Sequence, residues 1–165
     1  MRRDAKIGET TGAEADQEGE MANLTLAYKV RGYSTGTLGR AICNARTHHF
    51  VADDGGGDEV GAGEFFFSGI TACAVNMVER LADKDDIALD WMDVSVESYR
   101  DSDADHGDLS LYDAIRIKFE MWGVDDEDAH NLVETWKKRC PLYGSVAVAT
   151  ADTTVELIRH AEKYR

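Results

Sequence analysis

Hydrophobic and polar positions along this 165-residue chain change their period several times, and each change marks an element. Residues 1–20, MRRDAKIGETTGAEADQEGE, hold almost no large apolar groups and read as a disordered acidic tail. A new regime begins at Met21. NLTLAYKV alternates, with Leu24, Leu26, Tyr28 and Val30 on one face, and predicts a strand. RGYSTG reads as a turn. TLGRAICNAR and THHFVAD predict two more short strands, giving an antiparallel meander that ends in the acidic glycine-rich loop DDGGGDEVGAG. In EFFFSGITACAVNMVERLAD, the residues Phe66, Ile70, Cys73, Met77 and Leu81 recur at intervals of three and four. That spacing predicts a helix with Cys73 on its apolar stripe.

Alternation returns in WMDVSVESYR, where Met92, Val94 and Val96 share a face. DSDADHGDLS is a polar connection. LYDAIRIKFEMW places Ile115, Ile117, Phe119 and Met121 inward and Arg116, Lys118 and Glu120 outward. DDEDAHNLVETWKKRC predicts a second helix, with acids in the first turn and bases in the last, as the helix dipole favours. Ala129, Leu132, Val133, Trp136 and Cys140 share its apolar face. Pro141 then stops it, because a proline pushes the residue before it out of helical geometry. TTVELIRHAE predicts a last strand. Three strands, a helix, two strands, a helix and a strand make an α+β chain with a mostly antiparallel sheet. No internal repeat is visible, and residues 21–165 read as one domain.

Composition narrows the function. At 43% hydrophobic the chain can bury a core, yet no apolar run approaches membrane-spanning length. The two arginines near the start are not followed by the apolar stretch of a secretory leader, so the expected location is cytoplasmic. Net charge is −14, from 18 basic and 32 acidic residues. That argues against nucleic acid as a partner, which calls for basic surface, and against an anionic membrane. Abundant aspartate and scarce lysine fit a salt-adapted source.

Several motifs fail on inspection. DSDADHGD begins like a calcium loop, but counting from Asp101 the positions that need Gly and Glu hold His106 and Tyr112. GGGDEVGAG lacks the spacing and the strand–helix context of a phosphate loop. His48 and His49, adjacent in a strand, point to opposite faces and cannot share a metal. Cys43, Cys73 and Cys140 include no CxxC, and no Cys/His set has zinc spacing.

Cys73 and Cys140 each lie on the apolar face of a predicted helix. They could be two small core residues, a common use of cysteine. They could also be a facing thiol pair able to form a disulfide.

Two segments resemble the OsmC/Ohr family of osmotically induced and organic hydroperoxide resistance proteins. GEFFFSGITACAVNMVERLA is similar to the family's glutamate, apolar run, small residues and cysteine on a central helix, with Glu64 nine positions before Cys73. CPLYGSV is similar to the Cys-Pro signature at the end of the second helix. The resemblance runs from about Met21 to Arg165. It implies an OsmC-like fold, with sheets wrapped around two central helices in an intertwined homodimer.

It also implies a cysteine-based peroxidase without metal or haem. Cys73 would be the peroxidatic thiolate and Cys140 the resolving thiol. The substrate would be an organic hydroperoxide and the reductant an external dithiol. An arginine held by Glu64 would lower the Cys73 pKa. Arg40, which follows a glycine as in the family, is the first choice, and Arg46, two residues before His48, is the alternative. Phe65, Phe66 and Phe67 could wall the substrate, although their pattern also suits ordinary core. The chain departs from the family in having GAGE where a proline usually precedes the glutamate. Cys43 matches nothing in the family pattern and reads as packing.

Overall fold

The computed structural model describes residues 25–54 and 57–148, with the single positions 153, 155 and 157. The expected tail over residues 1–20 lies outside these. The chain divides into two compact units at Ala52/Asp53.

The first unit is a three-stranded antiparallel sheet in the order β1 (Val30–Ser34), β2 (Ala41–Ala45), β3 (His48–Ala52). The meander is as the sequence predicts, but its first strand is displaced toward the C-terminus. Residues 25–29 have no regular structure, and Leu26 and Tyr28 are 77% and 83% exposed. Alternation alone does not make a strand; a ladder partner does, and five-residue β2 reaches only from Val30↔Ala45 to Ser34↔Ala41. RGYSTG is therefore half strand and half turn. The Ser34 and Thr35 hydroxyls accept the Gly36 and Thr37 N–H groups and shape that turn. β2 and β3 meet in a two-residue hairpin that begins at Arg46, whose φ is +56°.

The second unit packs one long helix against a hairpin and two further helices. α1 (Ala62–Lys84) follows a loop closed by the Asp53 N–H to the Val60 carbonyl and by the Glu59 N–H to Asp53 Oδ2. Its buried residues are Ile70, Ala74, Val78, Leu81 and Ala82. The apolar stripe is thus rotated from the predicted one: Phe66 is 52% exposed, and Cys73 and Met77 lie at the margin of the buried face. The prediction passed over Ala74 and Ala82, whose small side chains let neighbouring elements approach α1 closely.

β4 (Trp91–Tyr99) and β5 (Ala114–Trp122) pair antiparallel over their full length, from Trp91↔Trp122 to Tyr99↔Ala114. Met92, Val94, Val96, Ile117, Phe119 and Met121 belong to the core with α1, as their alternation predicts. Gly123 ends β5 at φ +78°, where a Cβ would fall 2.4 Å from Asp90 Cγ. Three acids of the loop from Arg100 to Asp113 hydrogen-bond within it. Asp101 Oδ1 accepts Asp103 N–H, Asp105 Oδ1 accepts Gly107 N–H, and Asp113 takes the Asp101 N–H and His106 Nε2. These carboxylates form turns rather than a cation cage.

α2 (Asp126–Arg139) is capped by Asp125 Oδ1, which accepts Asp128 N–H at 2.9 Å. Leu132 and Trp136 are its buried residues. Pro141 does end it, but it also starts a short helix the sequence did not predict, α3 (Pro141–Ala147). Proline suits a first helical position because its missing N–H would have no partner there. The strand predicted over 153–162 falls mostly outside the described residues, and the three described positions carry no regular structure. Among the described residues no helix is long and apolar enough to cross a membrane.

Candidate functional site

Cys73 sits at the edge of the buried face of α1, half-buried. Cys140 occupies the break between α2 and α3, with φ −77° and ψ 111°, and is 3% exposed. It is the C-cap of one helix and the N-cap of the next. Its N–H donates back to the Trp136 carbonyl, and its Sγ accepts the Tyr143 N–H at 3.4 Å. Pro141 sets this geometry, since it excludes helical backbone at residue 140. The proline thus aims the thiol.

The two sulfurs, 67 positions apart in sequence, lie 2.8 Å apart. Both are free thiols, with a hydrogen bond between them that either can donate. A disulfide of roughly 2.05 Å needs only a sub-ångström approach from here.

The pair shares its core cluster with aromatic rings. Trp136 meets Tyr143 at a tilt, ring centroids 4.9 Å apart, and Phe119 edge-on at 5.0 Å. The Trp136 Nε1 is buried with no hydrogen-bond partner among the described residues. Gly69, one turn before Cys73, admits the Leu142 Cδ1 to 3.6 Å of where a side chain would begin. Gly69, Leu142 and Tyr143 carry no motif that marks them in the sequence. Their positions four before Cys73, two after Cys140 and three after Cys140 would have found them.

Burial first, then the hydrogen bond and charge of Cys140, push the Cys73 thiol from the ordinary 9.0 up to about 11. All three causes act in one direction. At pH 7 a thiol of that acidity is ionised in only about one molecule in ten thousand.

Glu64 does not join the thiols. Nine residues of continuous helix advance about 13.5 Å and turn about 180°, so Glu64 and Cys73 lie on opposite sides of α1. The Glu64 Oε2 accepts the Gly61 N–H at 2.7 Å and so helps start its own helix. Its side of α1 lines a separate cavity of about 440 Å³ with Phe67, Ser68, Thr71, Ser98 and Tyr112.

The three phenylalanines part company. Phe66 shares the Cys73 side of the helix two turns away and offers exposed apolar surface. Phe67 faces the other cavity, edge-on to Tyr112 at 5.0 Å. Phe65, one position earlier, is half-buried. Arg40 and Arg46 both belong to the strand unit, Arg40 directly before β2 and Arg46 in the β2–β3 turn. Cys43, in β2 opposite Gly32, packs where a Gly32 side chain would otherwise extend, 3.7 Å from its start. Among the described residues no group of His, Cys, Asp and Glu could hold a metal ion.

Comparison with known proteins agrees with this architecture. An OsmC-like protein from Mycoplasma pneumoniae superposes with a TM-score of 0.68 at 14% identity, covering 77% of this chain and 92% of its own. An organic hydroperoxide resistance protein OsmC from Legionella pneumophila gives 0.58 at 14% identity, covering 76% and 92%. A protein from Aquifex aeolicus gives 0.63 at 12% identity, covering 76% and 91%. At these identities the likeness is one of fold. No curated protein matches the chain. The family model for OsmC-like protein matches residues 55–156, which is most of the chain and includes both thiols, α1, α2 and the hairpin between them, so the chain belongs to the OsmC-like family.

Proposed function

We propose that this protein is a thiol-dependent peroxidase that reduces organic hydroperoxides through Cys73 and Cys140. The observation that carries the reading is the 2.8 Å approach of two free thiols from separate helices. The Cys73 thiolate attacks the outer oxygen of the hydroperoxide. The O–O bond breaks, the alkoxide leaves and takes a proton, and Cys73 becomes a sulfenic acid. Cys140 then attacks that sulfur and expels water, and the Cys73–Cys140 disulfide forms. An external dithiol restores both thiols by exchange. Phe66, exposed on the Cys73 side of α1 two turns away, suits an organic tail better than hydrogen peroxide.

This chemistry calls for a cation, because Cys73 is held protonated by its own surroundings. Arg40 is the first candidate and Arg46 the alternative; either would also steady the departing alkoxide. Glu64 is proposed to hold that arginine, with its Oε2 also accepting the Gly61 N–H at the start of its own helix. The working form is proposed as a cytoplasmic homodimer. The test is steady-state turnover of an organic hydroperoxide with a dithiol reductant. The wild type turns over, and Cys73→Ser and Cys140→Ser each lose turnover. Absence of turnover with every organic hydroperoxide and dithiol pair would remove the peroxidase.

The raised Cys73 pKa and the placement of Glu64 favour a second reading, a small-molecule-binding or redox-sensing OsmC-fold protein with little peroxidase activity. In that case a ligand is retained without turnover, or disulfide formation alters assembly without a catalytic cycle.

A further inference from the structure

The chain carries a net charge of −14, yet one end of its strand unit is basic. A cavity of about 770 Å³ there is lined by Tyr28, Lys29, Arg31, Asn44 and Arg46 with three small or aliphatic neighbours. It holds three cations, and no carboxylate lines it. Sheet register explains the gathering. Arg31 pairs across the ladder with Asn44, so their side chains leave the same face. Lys29 stands just before β1 and Arg46 just after β2, at the same end of the two strands. Among the described residues none of the three cations has a carboxylate partner, and Arg31 instead lies over the Tyr33 ring at 5.5 Å.

Two further observations make this more than solvated charge. Asn44 is half-buried, and among the described residues its Oδ1 is buried without a hydrogen-bond partner. An asparagine amide reads equally well turned over, which presents its NH₂ donors at that atom's place. A polar atom held from solvent without a partner costs stability, so a small shift that lets a ligand or water reach this amide is favoured. Arg46 has φ +56° in a two-residue hairpin, where Gly, Asn or Asp is the favoured choice. Bulky side chains in that conformation cost about 1 kcal/mol or more, a cost that suits a side chain with a task.

We propose that this end of the strand unit binds a small organic anion. Its oxyanion head, phosphate or carboxylate, is held by Lys29, Arg31 and Arg46, with the Asn44 amide completing the head and the Tyr28 ring covering the apolar body. Guanidinium forks suit such heads because they donate two parallel hydrogen bonds. The inference does not rest on the peroxidase reading, since Lys29, Arg31 and Asn44 take no part in it.

Calorimetric titration of the full chain at low salt tests it, with phenyl phosphate and benzoate as probes and benzyl alcohol as the neutral control. At least one anion binds one-to-one and benzyl alcohol does not. Tighter phenyl phosphate assigns a phosphate head, and tighter benzoate a carboxylate head. Arg31→Gln and Lys29→Gln each weaken binding about tenfold, the loss of one charge-assisted contact. Lys29 lies outside the ladder, so its variant remains informative if Arg31→Gln misfolds. Absence of heat from both anions at millimolar concentration would overturn the proposal. So would unchanged affinity in the folded variants.

Discussion

Cys73 is held protonated by its own neighbours, and that fact governs its chemistry. Its pKa near 11 should appear directly in alkylation by iodoacetamide, with the modified peptide quantified by mass spectrometry across pH. Burial and Cys140 alone set a midpoint near 11, and the proposed peroxidase requires a cation that brings it well below 9.0; a midpoint that stays near 11 would favour the binding protein. Stability follows with a definite sign. The fold binds the Cys73 proton more tightly than the unfolded chain does. Its contribution is therefore whole below about pH 9 and fades as pH rises toward 11. Thermal melts of the reduced wild type should fall over that window more steeply than those of Cys73→Ser. Gly69 offers another residue-level test. A methyl there meets only Leu142 at 3.6 Å, an ordinary contact, and lies on a helix where glycine is a poor choice. Gly69→Ala should raise stability by about 0.5–1 kcal/mol in urea unfolding. The candidate site was partly legible in the sequence. Cys73, Cys140 and Pro141 could be brought together from two motifs, whereas the sides of α1 that Glu64 and Cys73 occupy follow only from helix geometry.

The elements that read most clearly were those whose partners lie nearby. β4, β5 and α2 carry period, charge and cap signals that agree, and each falls where the pattern places it. Asp125→Ala should cost about 1 kcal/mol through loss of the α2 cap, measured by denaturant unfolding. The first strand was harder, because Leu26 and Tyr28 alternate without a ladder to pair with. α3 was missed because a proline was taken only as a stop. Its cap is the Cys140 sulfur, so Cys140→Ser should keep α3 while removing the disulfide partner; a hydroxyl accepts the Tyr143 N–H as well as a thiol does. Circular dichroism unchanged from wild type, together with loss of turnover, separates the redox role of Cys140 from its role as a cap.

The whole molecule combines strong negative charge with a small core, and the two work against each other. Repulsion among 32 acidic residues, offset by 18 basic ones, should be relieved by salt. At about 1 M salt the screening length falls to roughly 3 Å, so the melting temperature should climb markedly from its low-salt value. A salt-independent melt would deny charge repulsion that place. The central claim concerns the two thiols, and one measurement reaches it most directly. One equivalent of an organic hydroperoxide is added to the reduced protein, and peptides from wild type and Cys73→Ser are mapped by mass spectrometry. The account predicts rapid formation of the Cys73–Cys140 linkage in the wild type and none in the variant. A Cys73 that stays a free thiol, or drifts slowly to mixed oxidation products, would contradict it.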